Sequence, residues 1–145
     1  MDKRRVVITG LGCVSPLGSN TAESWAGVKN GVCGIAPITA FDTTDYKVKL
    51  AGEAKAFTPE PTIEKREAKK MARFTQMAVV AAAEAVADSG LPTGEACTGT
   101  EAEAIGVIVS SGIGGLPTIE EEHTRGQQRG FERVSPYFVP MSIAN

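Results

Sequence analysis

Residues 64–89 constrain the fold more than any other stretch of the chain. Met71, Phe74, Ala78, Ala81, Ala82, Ala85 and Val86 recur at helical spacing and Gly90 stops the run, so one long helix is predicted. Its second half is built largely of alanine, whose small side chain lets a neighbouring backbone come close. Such a helix is expected to be buried within a larger body.

The flanking sequence alternates between strand-like and helix-like signals. Residues 5–9 are a short β-branched run ending in glycine, read as a buried strand. A loop with three glycines and Pro16 follows over 10–18. Asn20 or Thr21 then caps a helix that runs to Asn30, with Glu23 in its first turn, Gly31 at its stop, and Trp25 and Val28 on its buried face. Residues 32–61 read as irregular, with a short strand near 48–51. Residues 91–103 read as a small-residue, acidic loop and 104–109 as a second apolar strand. The glycine turn Ser110-Ser111-Gly112-Ile113-Gly114-Gly115 leads to a helix over about 118–125. Strands alternating with helices argue for an α/β layered fold. The last residues, from Val139 to Asn145, look like the start of another apolar element, so the domain is expected to continue past 145.

The 145 residues are enough for one ordinary domain, and 42% hydrophobic with 22% charged residues points to a globular protein rather than a disordered one. A net charge of −2 provides no global pull toward nucleic acid or a membrane, so any electrostatic recognition must be local. No apolar run approaches the ~20 residues that cross a bilayer, and Gly10, Gly12, Ser15 and Pro16 interrupt the N-terminal run before a signal peptide could form. A cytoplasmic protein is expected. Cys13, Cys33 and Cys97 have no metal-like spacing and His123 is the one histidine, which argues against a metal site and for reduced thiols.

Individual motifs leave alternatives open. Val6-Val7-Ile8-Thr9-Gly10-Leu11-Gly12 resembles a dinucleotide-binding turn, but Ser15 stands where a third glycine is needed and the helix opens too late. A plain structural turn fits better. Glycines on both sides of Ile113 allow a mobile apolar gate over a pocket, or simply a tight turn. Lys65, Arg66, Lys69, Lys70 and Arg73 cluster at the start of the long helix, against its dipole. They read either as a solvated face or as a docking patch for an acidic partner. Cys13 has no neighbour that would activate a thiol, and His123 has no nucleophile beside it, so neither supports a catalytic assignment. Taken alone, the residues specify part of a soluble α/β protein with a basic helix end.

Four ordered stretches go further. They are Arg4-Arg5-Val6-Val7-Ile8-Thr9-Gly10-Leu11-Gly12-Cys13-Val14-Ser15-Pro16-Leu17-Gly18, Phe41-Asp42-Thr43, Ser111-Gly112-Ile113-Gly114-Gly115 and Val134-Ser135-Pro136-Tyr137-Phe138-Val139-Pro140. Together the chain resembles the N-terminal portion of the type II β-ketoacyl-[acyl-carrier-protein] synthases. The resemblance implies a thiolase-like layered α/β fold, of which residues 1–145 would be part of the first half, and a homodimeric parent. It also implies a decarboxylative Claisen condensation between an acyl thioester and malonyl-carrier protein in fatty-acid elongation, with no cofactor. In that family the nucleophilic cysteine and two histidines lie beyond the segment matched here, so the chain alone is expected to carry no catalytic residue and no condensing activity. Gly112, Ile113 and Gly114 fall at the acyl-pocket gate, and Phe138 falls where an aromatic reaches the partner subunit's pocket. Arg66, Lys69, Lys70 and Arg133 match positions that dock the acyl carrier protein. Glu132 is acidic where relatives are often basic, a departure in the second half of that patch, and residues 92–103 are a longer, more acidic surface loop. A non-catalytic carrier-binding module and a polyketide ketosynthase are the alternative readings.

Overall fold

The computed structural model describes residues 4–97 and 100–144. The expectations for Met1–Lys3, for Thr98 and Gly99 within the acidic loop, and for Asn145 lie outside the described residues. Two compact units are present: one takes in the chain as far as Thr58 together with Val80–Leu91, the other Pro59–Val79 and the chain from Pro92 onward.

In the first unit, helix α1 (Thr21–Lys29) forms where its cap was expected: the Asn20 side chain accepts the Glu23 N–H at 2.9 Å. Its expected buried face is wrong. Trp25 is 58% exposed and Val28 57%, whereas Ser24 is buried and Gly27 lies against Leu17. The small residues of α1 meet the 15–18 loop, where Ser24 and Ser15 share a hydrogen bond of 2.8 Å; close approach, not side-chain bulk, decides which face packs. Strands β1 (Ile35–Pro37) and β2 (Leu50–Gly52) pair antiparallel with Ala36 opposite Ala51, so β2 falls close to the short strand expected near 48–51. Glu53 ties the ends of this pair: its carboxylate accepts the N–H groups of Thr39 and Ala40 and the Thr39 hydroxyl. These bonds, the Thr39 N–H foremost, hold its pKa down at about 2.

The second half of α3 (Arg73–Ser89) belongs to the same unit, and here the close backbone approach expected of its alanines is present, although none of its residues is buried. A side chain at Gly10 would collide with the carbonyl oxygen of Ala85, and one at Gly12 with that of Ala81, so residues 10–12 lie directly on the helix backbone. Polar ties fix the contact. Glu84 accepts the Cys13 N–H at 2.9 Å and the Thr21 N–H at 2.8 Å, and Asp88 accepts the Leu11 N–H at 3.0 Å.

The long helix itself is not continuous. Residues 65–89 divide into α2 (Lys65–Ala68) and α3, with a turn between them. No glycine or proline marks the break. The Gln76 side chain stabilises it, donating to the carbonyls of Ala68 at 2.8 Å and Met71 at 3.0 Å that an unbroken helix would have bonded internally. Ala68 and Ala72 are buried there with Ile63. Burial along α3 is shallow: Phe74, Ala78 and Ala85 are half-buried, and Ala82 is exposed.

The rest of the second unit holds α4 (Thr100–Glu103) and a 3₁₀ turn (Gly94–Ala96) inside the expected acidic loop. It also holds α5 (Leu116–Arg129), longer at both ends than expected, a 3₁₀ turn (Phe131–Arg133) and α6 (Phe138–Ser142). Both apolar runs read as strands are instead unpaired among the described residues. Val6 is 92% exposed and Ile108 97%, and neither 5–9 nor 105–109 joins a ladder among the described residues. Their β-branched composition favours strand, but a strand forms only where another offers its backbone, and none described does.

Candidate functional site

The glycine turn after residue 109 is held by its own backbone. Ser111 Oγ accepts the Gly114 N–H at 2.9 Å, and Gly114 takes φ +82°, a conformation open to glycine but strained for other residues. Gly115 is buried against the end of α6, donating its N–H to the Ser142 carbonyl at 3.0 Å. A Cβ at either glycine would strike the backbone of Met141 or Ser142. Ile113, just before this anchor, is 71% exposed, and Gly112 on its other side has nothing near its α-carbon side. The loop is thus fastened to α6 after Ile113 and tied across Ile113 by the Ser111 hydroxyl, with the Ile113 side chain left in solvent.

Phe138 opens α6 and is half-buried. A continuous run of hydrogen bonds joins it to the glycine turn. Glu122, buried on α5, accepts the Ser135 N–H at 2.8 Å and pairs with Arg125 at 2.6 Å. The Phe138 N–H donates to the Ser135 carbonyl at 3.0 Å, and Ser142 Oγ donates to the Phe138 carbonyl at 2.6 Å. Ser142 in turn receives Gly115. Ile113 and Phe138, remote in sequence, therefore sit on one hydrogen-bonded frame supplied by α5 and α6. Glu122 was not singled out from sequence; an acidic residue among three consecutive glutamates gives no signal of which one is buried.

The basic cluster lies on a broken helix. Because the helix breaks after Ala68, Lys69 and Lys70 lie in the turn between α2 and α3, and Arg73 opens α3, so these cations still stand at the N-terminal end of the longer helix. Arg66 and Lys69 are exposed. Lys70 is half-buried and pairs with Glu67 at 2.7 Å. That hydrogen bond raises the Lys70 pKa, with a further contribution from the nearby Tyr137. Arg133 is exposed in the 3₁₀ turn after α5 and lines an open hollow with Arg125 and Arg129. Those two, four apart on α5, were also missed by sequence reasoning, although the spacing that places them on one helix face is visible in the sequence.

Cys13, Cys33 and Cys97 are free thiols. Cys13 lies against α3 through its backbone, and among the described residues His123 has Gln127 alone within hydrogen-bonding reach, at 3.3 Å. No group of three metal-ligating side chains occurs among the described residues, and no helix among them is long and apolar enough to cross a membrane.

Comparison with known proteins gives one answer. Residues 3–145 match the family described as "Beta-ketoacyl synthase, N-terminal domain". The 3-oxoacyl-[acyl-carrier-protein] synthase 2 of Staphylococcus aureus is 49% identical over 142 residues, covering 98% of this chain and 33% of its own length. The protein of the same name from Synechocystis is 40% identical over 145 residues, covering 100% of this chain and 34% of its own. The chain thus spans about a third of the length of these relatives. Among solved structures, the ishigamide ketosynthase/chain length factor superposes with a TM-score of 0.77 at 30% identity over 99% of this chain and 35% of its own. A ketosynthase solved with its type II polyketide acyl-carrier protein matches in fold at a TM-score of 0.61 and 20% identity, over 97% of this chain and 35% of its own.

Proposed function

Since the chain belongs to the β-ketoacyl synthase N-terminal domain family, we propose that it is the N-terminal part of a 3-oxoacyl-[acyl-carrier-protein] synthase that extends fatty-acyl chains. In this reading residues 1–145 build one wall of an acyl pocket and part of the surface that receives the acyl carrier protein. The nucleophilic cysteine and the two histidines that polarise the thioester come from polypeptide outside the chain. The parent is a cytoplasmic homodimer in which Phe138 reaches the partner subunit's pocket.

The observation that carries this proposal is the anchoring of the glycine turn. Gly114 and Gly115 pack against the end of α6, while Ile113 projects exposed next to Gly112, which has open space beside it. An exposed apolar side chain between two glycines of an anchored turn suits a gate that swings aside for an acyl chain. The same hydrogen-bonded frame carries Phe138. For the carrier protein, exposed Arg66 and Lys69 supply cationic contacts, and the polyketide ketosynthase that shares the fold is solved with an acyl-carrier protein. A growing polyketide in place of a saturated chain is the alternative substrate class, since a ketosynthase of the same fold works with a type II polyketide carrier protein.

The gate is tested in the full-length parent by Ile113→Phe. The variant is expected to retain condensation with short acyl groups and to lose it progressively with longer ones. An unchanged chain-length profile refutes the gate. The 145-residue chain alone is expected to catalyse neither malonyl decarboxylation nor condensation, and either activity would refute the placement of the reactive centre.

A further inference from the structure

Of the chain's three asparagines, only Asn30 is followed by glycine. Asn30 is the exposed C-cap of α1, and its side-chain amide makes no hydrogen bond among the described residues. Gly31 takes φ +65° and has nothing within 4 Å of where a side chain would stand, so no group crowds its backbone on that side. Two backbone bonds close the turn. The Gly31 N–H donates to the Val28 carbonyl at 3.1 Å and the Val32 N–H to that of Gly27 at 3.0 Å. Asn20, at the other end of the helix, is the contrast: its side chain accepts the Glu23 N–H, and the Thr21 N–H that follows it is held by Glu84 at 2.8 Å. The Asn30 turn also joins two close contacts, since Gly27 before it and Gly34 after it both lie against Leu17.

We propose that Asn30–Gly31 is a self-modification site, at which the folded chain deamidates to isoaspartate and aspartate. The backbone nitrogen of Gly31 attacks Asn30 Cγ and forms a C–N bond. The side-chain nitrogen leaves as ammonia, taking the Gly31 amide proton with it, and a cyclic succinimide remains. Water then opens the ring. Cleavage of the bond to the main-chain carbonyl carbon of Asn30 gives isoaspartate, and cleavage of the bond to Cγ gives aspartate. The sum is water in and ammonia out, with no oxidant or reductant. Glycine is the residue that best permits the attack, because no Cβ hinders its nitrogen. The geometry also sets what limits the rate. With Asn30 ψ at 3°, the Gly31 nitrogen is turned away from Cβ, so attack waits for rotation about the Cα–C bond and for the bond to Val28 to open. Helix ends open readily, since their last carbonyls lack intrahelical partners. The isoaspartyl product lengthens the backbone by one methylene within the turn that seats Gly27 and Gly34 on Leu17. It also puts a carboxylate at the negative end of the helix dipole.

The test incubates the folded 145-residue chain in mildly alkaline buffer and, in parallel, the same chain unfolded in urea. Peptide mapping with electron-transfer fragmentation reads isoaspartate and aspartate at positions 20 and 30. In the folded chain, conversion at Asn30 is expected to run at least about tenfold faster than at Asn20. It should run about tenfold slower than in urea, where no cap has to open. An Asn30 that stays intact in the folded chain while the unfolded chain converts overturns the proposal, and so does an unfolded chain that does not convert. Conversion at Asn20 that keeps pace with Asn30 overturns it as well, because the cap contacts would then protect nothing. Equal rates with and without urea refute the opening step. The Asn30→Asp variant supplies the charge without the extra methylene. Amide exchange at Gly31 and Val32 should be about tenfold faster in the isoaspartyl chain than in that variant. Equal exchange would show that the product leaves the turn intact and would overturn its structural effect.

Discussion

Replacing Glu84 tests how residues 11–21 are held on α3. Its two carboxylate oxygens divide the work: Oε2 accepts the Cys13 N–H at 2.9 Å and Oε1 the Thr21 N–H at 2.8 Å. Hydrogen bonds to a charged acceptor contribute roughly 1.5–3 kcal/mol each, and both here are only half-buried, so about 1.5 kcal/mol apiece is the reasonable figure. Glu84→Ala removes both acceptors. Amide hydrogen exchange at Cys13 and Thr21 should accelerate at least about tenfold, because ~1.4 kcal/mol of local opening energy is a factor of ten. Glu84→Gln keeps one acceptor oxygen and turns a donor toward the other amide, so one site should stay protected while the other is lost. The effect also depends on pH. Partial burial raises the Glu84 pKa, but the Cys13 and Thr21 N–H groups outweigh it, and the net shift is downward from 4.5. A depressed carboxylate pKa means the tie is fully present above the unfolded value and is lost as pH falls through the folded one. Protection at the two amides should therefore fade in acid in the native chain and be insensitive to pH in Glu84→Ala. Unchanged exchange at both amides in Glu84→Ala would refute the assignment of Glu84 as the tie.

Other perturbations follow from the same geometry. Glu53, held at about 2, should lend stability to the β1–β2 pair that is present above about 4.5 and disappears as pH drops toward 2. Proton-detected titration of its carboxylate reads this directly, and an ordinary midpoint there would contradict the cluster. Gly12→Ala forces a Cβ into the Ala81 carbonyl and should release residues 10–13 from α3, at a cost of about 3 kcal/mol. Native-like exchange at Cys13 in that variant would count against the close approach. Gln76→Leu removes the side-chain donor from the Met71 carbonyl and from that of Ala68, which keeps the Met71 N–H. It should lower the urea midpoint by the equivalent of about 1–2 kcal/mol, and an equal midpoint would show that water serves as well. Ile113→Phe should shorten the acyl chains accepted by the full-length parent.

Local chemistry was legible in the sequence wherever a residue acts on its near neighbours. Asn20 caps α1 because its side chain needs only the N–H three residues on, and the alanines of α3 admit Gly10 and Gly12 because no side chain intervenes. The family resemblance and the fold it implied were legible from four short stretches in a fixed order, and the family match over residues 3–145 agrees. What depends on distant partners was not legible. Trp25 and Val28 have the spacing of a buried pair, yet the face that packs is the one with Ser24 and Gly27. The break after Ala68 is stabilised by Gln76, a residue with no helix-breaking tendency of its own. Arg125 and Arg129 look like ordinary surface charges until the turn after α5 brings Arg133 beside them.

The two unpaired apolar runs carry a practical consequence for handling the chain. Around Val6 and Ile108, backbone donors and acceptors stand open beside β-branched side chains of which 92% and 97% are in water. Such a segment templates any extended strand it meets, including its copy in another molecule. Concentrated solutions should therefore assemble through sheet formation seeded at these positions, and a lysine placed at Val7 or Val107 should slow that loss more than the same change on a helix.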